Sequence, residues 1–144
     1  MKNISQDQLK PEYIRKKGRY EFQACVLPNA GGNLISFSVD GTELLNWEPE
    51  RLLNDAAMTG AFNMFPTTCR LENCRYTFDD REILQTKGGE DVFIHGLIRD
   101  EILNHEVSGN RITSWVDIQE GHPVYEGFPY IVSLRKQVNL IQYN

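Results

Sequence analysis

No stretch of the 144-residue sequence approaches the roughly 18 consecutive apolar residues of a membrane-spanning helix, so no membrane partner is expected. The N-terminal stretch MKNISQDQLKPEY carries no apolar core of the secretory kind, and the expected compartment is the cytoplasm. Cysteine is scarce: Cys25, Cys69 and Cys74 make three, an odd number that fits free thiols in a reducing compartment. Cys69 and Cys74 could be grouped with His95 as metal ligands. However, C-x4-C is a poor zinc spacing and no second pair follows, so no metal is expected. Also missing are a phosphate-cradling glycine loop, a nucleophile elbow and an HExxH helix, and no cofactor is implied. There is no internal repeat and no low-complexity tract.

Positive charge is in deficit, with a net of −5, and it is unevenly spread. Residues 1–18 read as a polar N-terminal segment. They hold Lys2, Lys10, Arg15, Lys16 and Lys17 against Asp7 and Glu12, a net of +3, which leaves −8 on residues 19–144. An acidic body argues against nucleic acid as a partner. The cluster Arg15-Lys16-Lys17 reads as a solvated start to the domain, with contact to an anionic surface as the other option. The length fits one domain, whose body is residues 19–144.

What is present is period two. Tyr20, Phe22, Ala24 and Val26 fall on one face, Glu21 and Gln23 on the other. Ile35, Phe37 and Val39 alternate with Ser36 and Ser38, and Ile112, Val116 and Ile118 with Arg111, Thr113 and Asp117. Tyr130, Val132, Leu134, Val138 and Leu140 share a face that Lys136 interrupts, opposite Ser133, Arg135, Gln137 and Asn139. Strict alternation marks strands with one buried face. Turn residues punctuate them: Pro28 to Asn33, Asp40-Gly41, Asp79-Asp80 and Ser108-Gly109-Asn110. The only helical stretch expected is Pro49 to Ala57. Short strands with regular turns predict an all-β, antiparallel β-sandwich.

Three segments do not alternate: residues 58–74, 86–99 and 119–129. Binding groups usually sit on such loops, held by a rigid sheet. In the first, Arg70 could present several donors to hydroxyl or carboxylate oxygens, or could be a surface ion-pair partner. In the second, His95 follows the apolar triplet Val92-Phe93-Ile94 and precedes Gly96. It could serve a substrate oxygen at a cleft, or be a hydrogen-bonded structural group. The third tempts one to pair His122 with Glu126. Their spacing in a loop guarantees no shared geometry, and Pro123 excludes a regular helix there. His105, between Asn104 and Glu106, is expected to be exposed.

Taken in order, these pieces resemble the aldose 1-epimerase (galactose mutarotase) family. The resemblance runs through Cys25-Val26-Leu27-Pro28-Asn29-Ala30-Gly31-Gly32-Asn33-Leu34 and Gly41-Thr42-Glu43-Leu44-Leu45-Asn46-Trp47. It continues in Phe65-Pro66-Thr67-Thr68-Cys69-Arg70-Leu71 with Tyr76-Thr77-Phe78, in Ile94-His95-Gly96-Leu97-Ile98-Arg99-Asp100, and in Gly127-Phe128-Pro129-Tyr130. It covers roughly residues 20–140 and about the N-terminal half of a typical member. It implies a galactose mutarotase-like supersandwich, incomplete in this chain, that interconverts α and β anomers of an aldose without metal or nucleotide. In the family one Glu takes the proton of the C1 hydroxyl and one His protonates the ring oxygen. Arg70 and His95 match the family's sugar-binding Arg and first His. Cys69 stands where the family has Asn. The family's acid His and base Glu have no counterpart here, so no catalytic residue is assigned; Asp91 and Glu126 are the only carboxylates worth testing as base.

Strand-like alternation runs to Asn144 without a turn, which predicts a chain that stops short of the family's catalytic groups. Half a sandwich leaves strand edges open, which favours association, including a homodimer through those edges. The expected partner is a monosaccharide, either an aldohexose or a modified sugar. The other readings are a non-catalytic carbohydrate-binding module or an inactive fragment.

Overall fold

The structure, a computed structural model, describes residues 9–54 and 59–142. Strands β1 (Glu12–Lys17), β2 (Glu21–Leu27), β3 (Asn33–Val39) and β4 (Thr42–Glu43) form one antiparallel sheet in chain order. A short helix α1 (Pro49–Asn54) follows; the last three residues of the expected helix, 55–57, lie outside the described residues. Two small hairpins come next, β5 (Arg75–Phe78) with β6 (Arg81–Leu84) and β7 (Thr86–Lys87) with β8 (Glu90–Asp91). Strands β9 (Asn104–Ser108), β10 (Arg111–Ile118) and β11 (Val132–Asn139) make a second antiparallel sheet in the order β11-β10-β9.

The turn chemistry does what the sequence demands of it. Asp40 and Gly41 sit at φ 47° and 80°, and Asp79 and Asp80 at φ 52° and 56°. Positive φ at both central residues is the hairpin geometry whose twist matches the flanking strands, so these pairs close β3–β4 and β5–β6. Asp40 Oδ1 adds a hydrogen bond from the Glu21 amide at 2.7 Å. Gly109, at φ 59°, turns β9 into β10.

Strand β1 lies within the stretch read as a polar segment. Its alternation buries Ile14 and leaves Arg15 and Lys17 outside, both paired with Glu21. Strand β2 departs from one-sided burial. Ala24 and Val26 join Ile14, Ile112 and Leu140 in a core shared by the two sheets, while Cys25 and Leu27 enter a second core with Ala30 and Ile35 on the other face. The reading that placed Ile35 and Phe37 on one face is corrected here. The register between β2 and β3 shifts at Cys25/Val26, so that Cys25 opposes Ser36 and Val26 opposes Leu34. Ile35 is the extra residue of a β-bulge. It turns into the Cys25–Leu27 core, whereas Phe37 packs on the shared core. A third core gathers Leu97, Ile98, Leu103, Val116, Ile118 and Val124 under the segments before β9 and after β10.

Strand β11 keeps its alternation end to end, with Val132, Leu134, Lys136 and Val138 half-buried and the intervening residues exposed. Tyr130, expected on this face, lies before the strand. It joins Phe78 and Phe128 in an aromatic group with ring centroids 5.0 Å apart, which Phe65 extends at 4.8 Å from Phe128. Two antiparallel sheets around a shared apolar core make this the all-β sandwich the periodicity predicts. No helix of the described residues is long and apolar enough to cross a membrane.

Candidate functional site

The described part of the first non-alternating segment and the second segment zip together. Arg70 bridges Ile94 antiparallel and Phe65 bridges Gly96 parallel. Between them the Leu71 amide donates to Phe93 O at 2.7 Å, the His95 amide to Cys69 O at 3.4 Å and the Leu97 amide to Phe65 O at 2.6 Å. Arg70 and His95 thus come from loops far apart in sequence but stand on one short irregular ladder.

The ladder is pinned from beneath by Gln85, which is fully buried. Its Oε1 accepts from Thr67 Oγ1 at 2.7 Å and its Nε2 donates to Val92 O at 2.7 Å, so one side chain ties both loops to the chain just after β6. Gly96 adds a constraint of space. It has φ 71°, and a Cβ placed on it would stand 2.2 Å from Phe65 O. Only glycine allows the two backbones to approach this closely.

His95 itself occupies the left-handed region at φ 59°. A non-glycine residue there is uncommon and costs about 1 kcal/mol, so surrounding contacts must hold it. Nδ1 lies 3.1 Å from Thr68 O, and the ring packs edge-on against Phe62 with centroids 5.5 Å apart. A carbonyl can only accept, so Nδ1 carries the proton and, in the neutral ring, Nε2 is left as the lone-pair nitrogen. The half-buried ring can therefore accept from a hydroxyl or amide donor through Nε2, or donate once protonated. Arg70 is exposed and lays its guanidinium over the Phe93 ring at 5.3 Å. Stacking fixes the plane of the fork while its N–H groups stay open to hydroxyl or anionic oxygens. Cys69 is exposed beside them and Cys74 is half-buried.

The third segment is built otherwise. His122 caps a short 3-10 turn, Pro123–Glu126, by accepting from the Val124 amide at 3.2 Å, and its Nε2 lies 3.7 Å from Glu101. Glu126 accepts from the Gly89 amide at 3.1 Å. Each has its own partner, and His122 and Glu126 form no acid–base pair. Asp91 is exposed on β8. His105 is exposed and pairs with Glu12 at 3.0 Å. Among the described residues no carboxylate is paired with His95, and no group of three His, Cys, Asp or Glu side chains is placed to hold a metal ion.

A cleft of about 330 Å³, which the sequence did not reveal, is lined by Gly96 together with Lys87, Asp91, Arg99, Asp100 and Glu101 among others. Lys87 is nearly buried in it. All three of its donors are spent, on Leu97 O at 2.8 Å, on Glu101 at 2.6 Å and on Asp100. It clamps the His95–Glu101 segment to β7, and its cation is not free for a ligand.

No family model and no curated protein matches the sequence. Solved structures do. The Slr1438 protein of Synechocystis sp. PCC 6803 superposes with a TM-score of 0.73 at 18% identity, over 98% of this chain and 48% of that one. A putative aldose 1-epimerase of Escherichia coli K12 gives 0.61 at 15%, over 91% and 42%. A galactose mutarotase related enzyme of Lactobacillus acidophilus gives 0.61 at 16%, over 90% and 39%. The chain thus spans somewhat less than half the length of each, and at these identities the likeness defines the fold: this is the antiparallel β-sandwich of galactose mutarotase-like proteins.

Proposed function

We propose that this chain is an aldose 1-epimerase-like protein, acting on the anomeric carbon of an aldose, with Arg70 and His95 as its sugar-binding residues. The observation that carries the reading is His95 held at positive φ beside Gly96, with Nδ1 spent on Thr68 O and Nε2 left for a ligand. Strained, over-determined residues of this kind cluster at functional sites. Arg70, on the same ladder, supplies fixed donors. Anomer exchange needs only proton transfers at the C1 hydroxyl and ring oxygen, so no cofactor is called for. We assign the protein to the cytoplasm, and its open strand edges to association with a second copy or a further β-rich segment.

The second reading, a non-catalytic carbohydrate-binding module, is favoured by two observations: Glu126 is committed to Gly89, and no described carboxylate pairs with His95. Anomer exchange of glucose and galactose, followed by polarimetry or NMR, separates the two. A rate above buffer that His95→Ala abolishes supports the enzyme. A rate equal to buffer, with saturable sugar binding that Arg70→Ala weakens, supports the module. Neither turnover nor binding overturns both.

A further inference from the structure

The cleft of about 330 Å³ is formed by the β7–β8 hairpin, residues 96–101 and Pro123. Its volume is at the small end of ligand pockets. The carboxylates Glu90, Asp91, Asp100 and Glu101 line it against two cations, Lys87 and Arg99. Neither cation is free. Lys87 is spent on Leu97 O, Asp100 and Glu101, and the buried Arg99 has a partner of its own.

The acceptors are less committed, although Glu90 is engaged as well. A carboxylate offers about four lone-pair sites, and the Lys87 clamp engages only Asp100 Oδ1 and Glu101 Oε1. Glu101 Oε2 has His122 Nε2 at 3.7 Å, too far for a hydrogen bond. Asp91 is exposed and, among the described residues, forms no ion pair. The clamp also holds the side chains of Asp100 and Glu101 at 12% and 15% exposure, so their remaining oxygens are fixed in the wall before a ligand arrives. Val92 and Pro123 add apolar wall.

A partly desolvated cleft with an excess of negative charge repels an anion, is indifferent to the charge of a neutral polyol and attracts a cation, while apolar wall favours a hydrocarbon body. We infer that this cleft binds a small organic ammonium. The N–H donors of the ligand face Asp91, Asp100 and Glu101, and its methylenes lie along Val92 and Pro123. The inference uses neither Arg70 nor His95 and holds whether or not they bind a sugar.

The test follows the backbone amide NMR spectrum of the wild-type chain at low salt as it is titrated with cadaverine, a five-carbon diamine, and separately with the diol of the same chain length. Saturable shifts at Gly88, Gly96 and Glu101, with a Kd of about 1 mM, are expected for the diamine, and no saturation for the diol. Asp91→Asn should weaken the diamine about fivefold and Asp91→Lys further, with the fold untouched because the side chain is exposed. Three results each overturn the inference: shifts that scatter over exposed Glu82 and Glu106 without saturating, a diol as effective as the diamine, or wild-type affinity in Asp91→Lys. Any of them leaves the cleft as space beside the Lys87 clamp.

Discussion

Lys136→Met should stabilise the chain near neutral pH and flatten its response to alkali. Burial disfavours the ammonium and lowers Lys136 from an ordinary 10.5 to about 8 in the folded chain. Between those values the unfolded chain binds a proton that the folded chain does not, so folding stability rises with pH across the interval. At about 1.4 kcal/mol per pH unit the full swing is about 3 kcal/mol. The hydrogen bonds to Gly32 and Ala61 favour the ammonium and reduce the expected swing to about 1–2 kcal/mol. Methionine has nearly the same length and no charge, and it fills irregular gaps well. Urea unfolding of both chains at pH 7 and pH 10, read through Trp47 and Trp115 fluorescence, gives the comparison. The wild type should gain about 1–2 kcal/mol on the variant between the two pH values, with the variant ahead at pH 7. Titration of all other groups cancels in the difference. Parallel stabilities, or a variant less stable at pH 7, would refute the desolvated ammonium.

Gly96→Ala should cost more than about 3 kcal/mol, read as a lowered urea midpoint, because the methyl meets the Phe65 backbone and the residue is held at positive φ. Wild-type stability in that variant would mean the His95 ladder is looser than described. Gln85→Ala should cost about 2–3 kcal/mol, since it strands Thr67 and Val92 O inside the fold; amide exchange at residues 93–97 should quicken with it. Unchanged exchange there would remove Gln85 as the pin of the site. Iodoacetamide should alkylate exposed Cys69 first and Cys25 last, because burial pushes the Cys25 thiol up to about 11; peptide mass spectrometry reads the order, and early labelling of Cys25 would contradict its place in the core.

Local chemistry was legible wherever one residue type has one conformational use. Asp40-Gly41 and Asp79-Asp80 announced hairpins because few other pairs accept positive φ twice in succession. The alternation from Val132 to Val138 announced β11, and even the misfit at Lys136 showed in it. Strand β1 was hidden because Ile14 is its only fully buried side chain, which is too little for a period to show. The bulge at Ile35 was equally hidden: an inserted residue changes which neighbour is opposite, and nothing in its own letter records that.

The site divides in the same way. Residue type and order pointed to Arg70 and His95, and the same order carried the likeness that the fold later bore out. That the two loops share a ladder, that Gln85 anchors it, that His95 presents Nε2 and that His122 and Glu126 stand apart were decided by contacts between residues distant in sequence. The Lys87–Asp100–Glu101 clamp belongs with them. The physical reason is that a sequence constrains backbone torsions one residue at a time, whereas burial, hydrogen-bond partners and proton affinity are set by whatever the folded chain brings alongside.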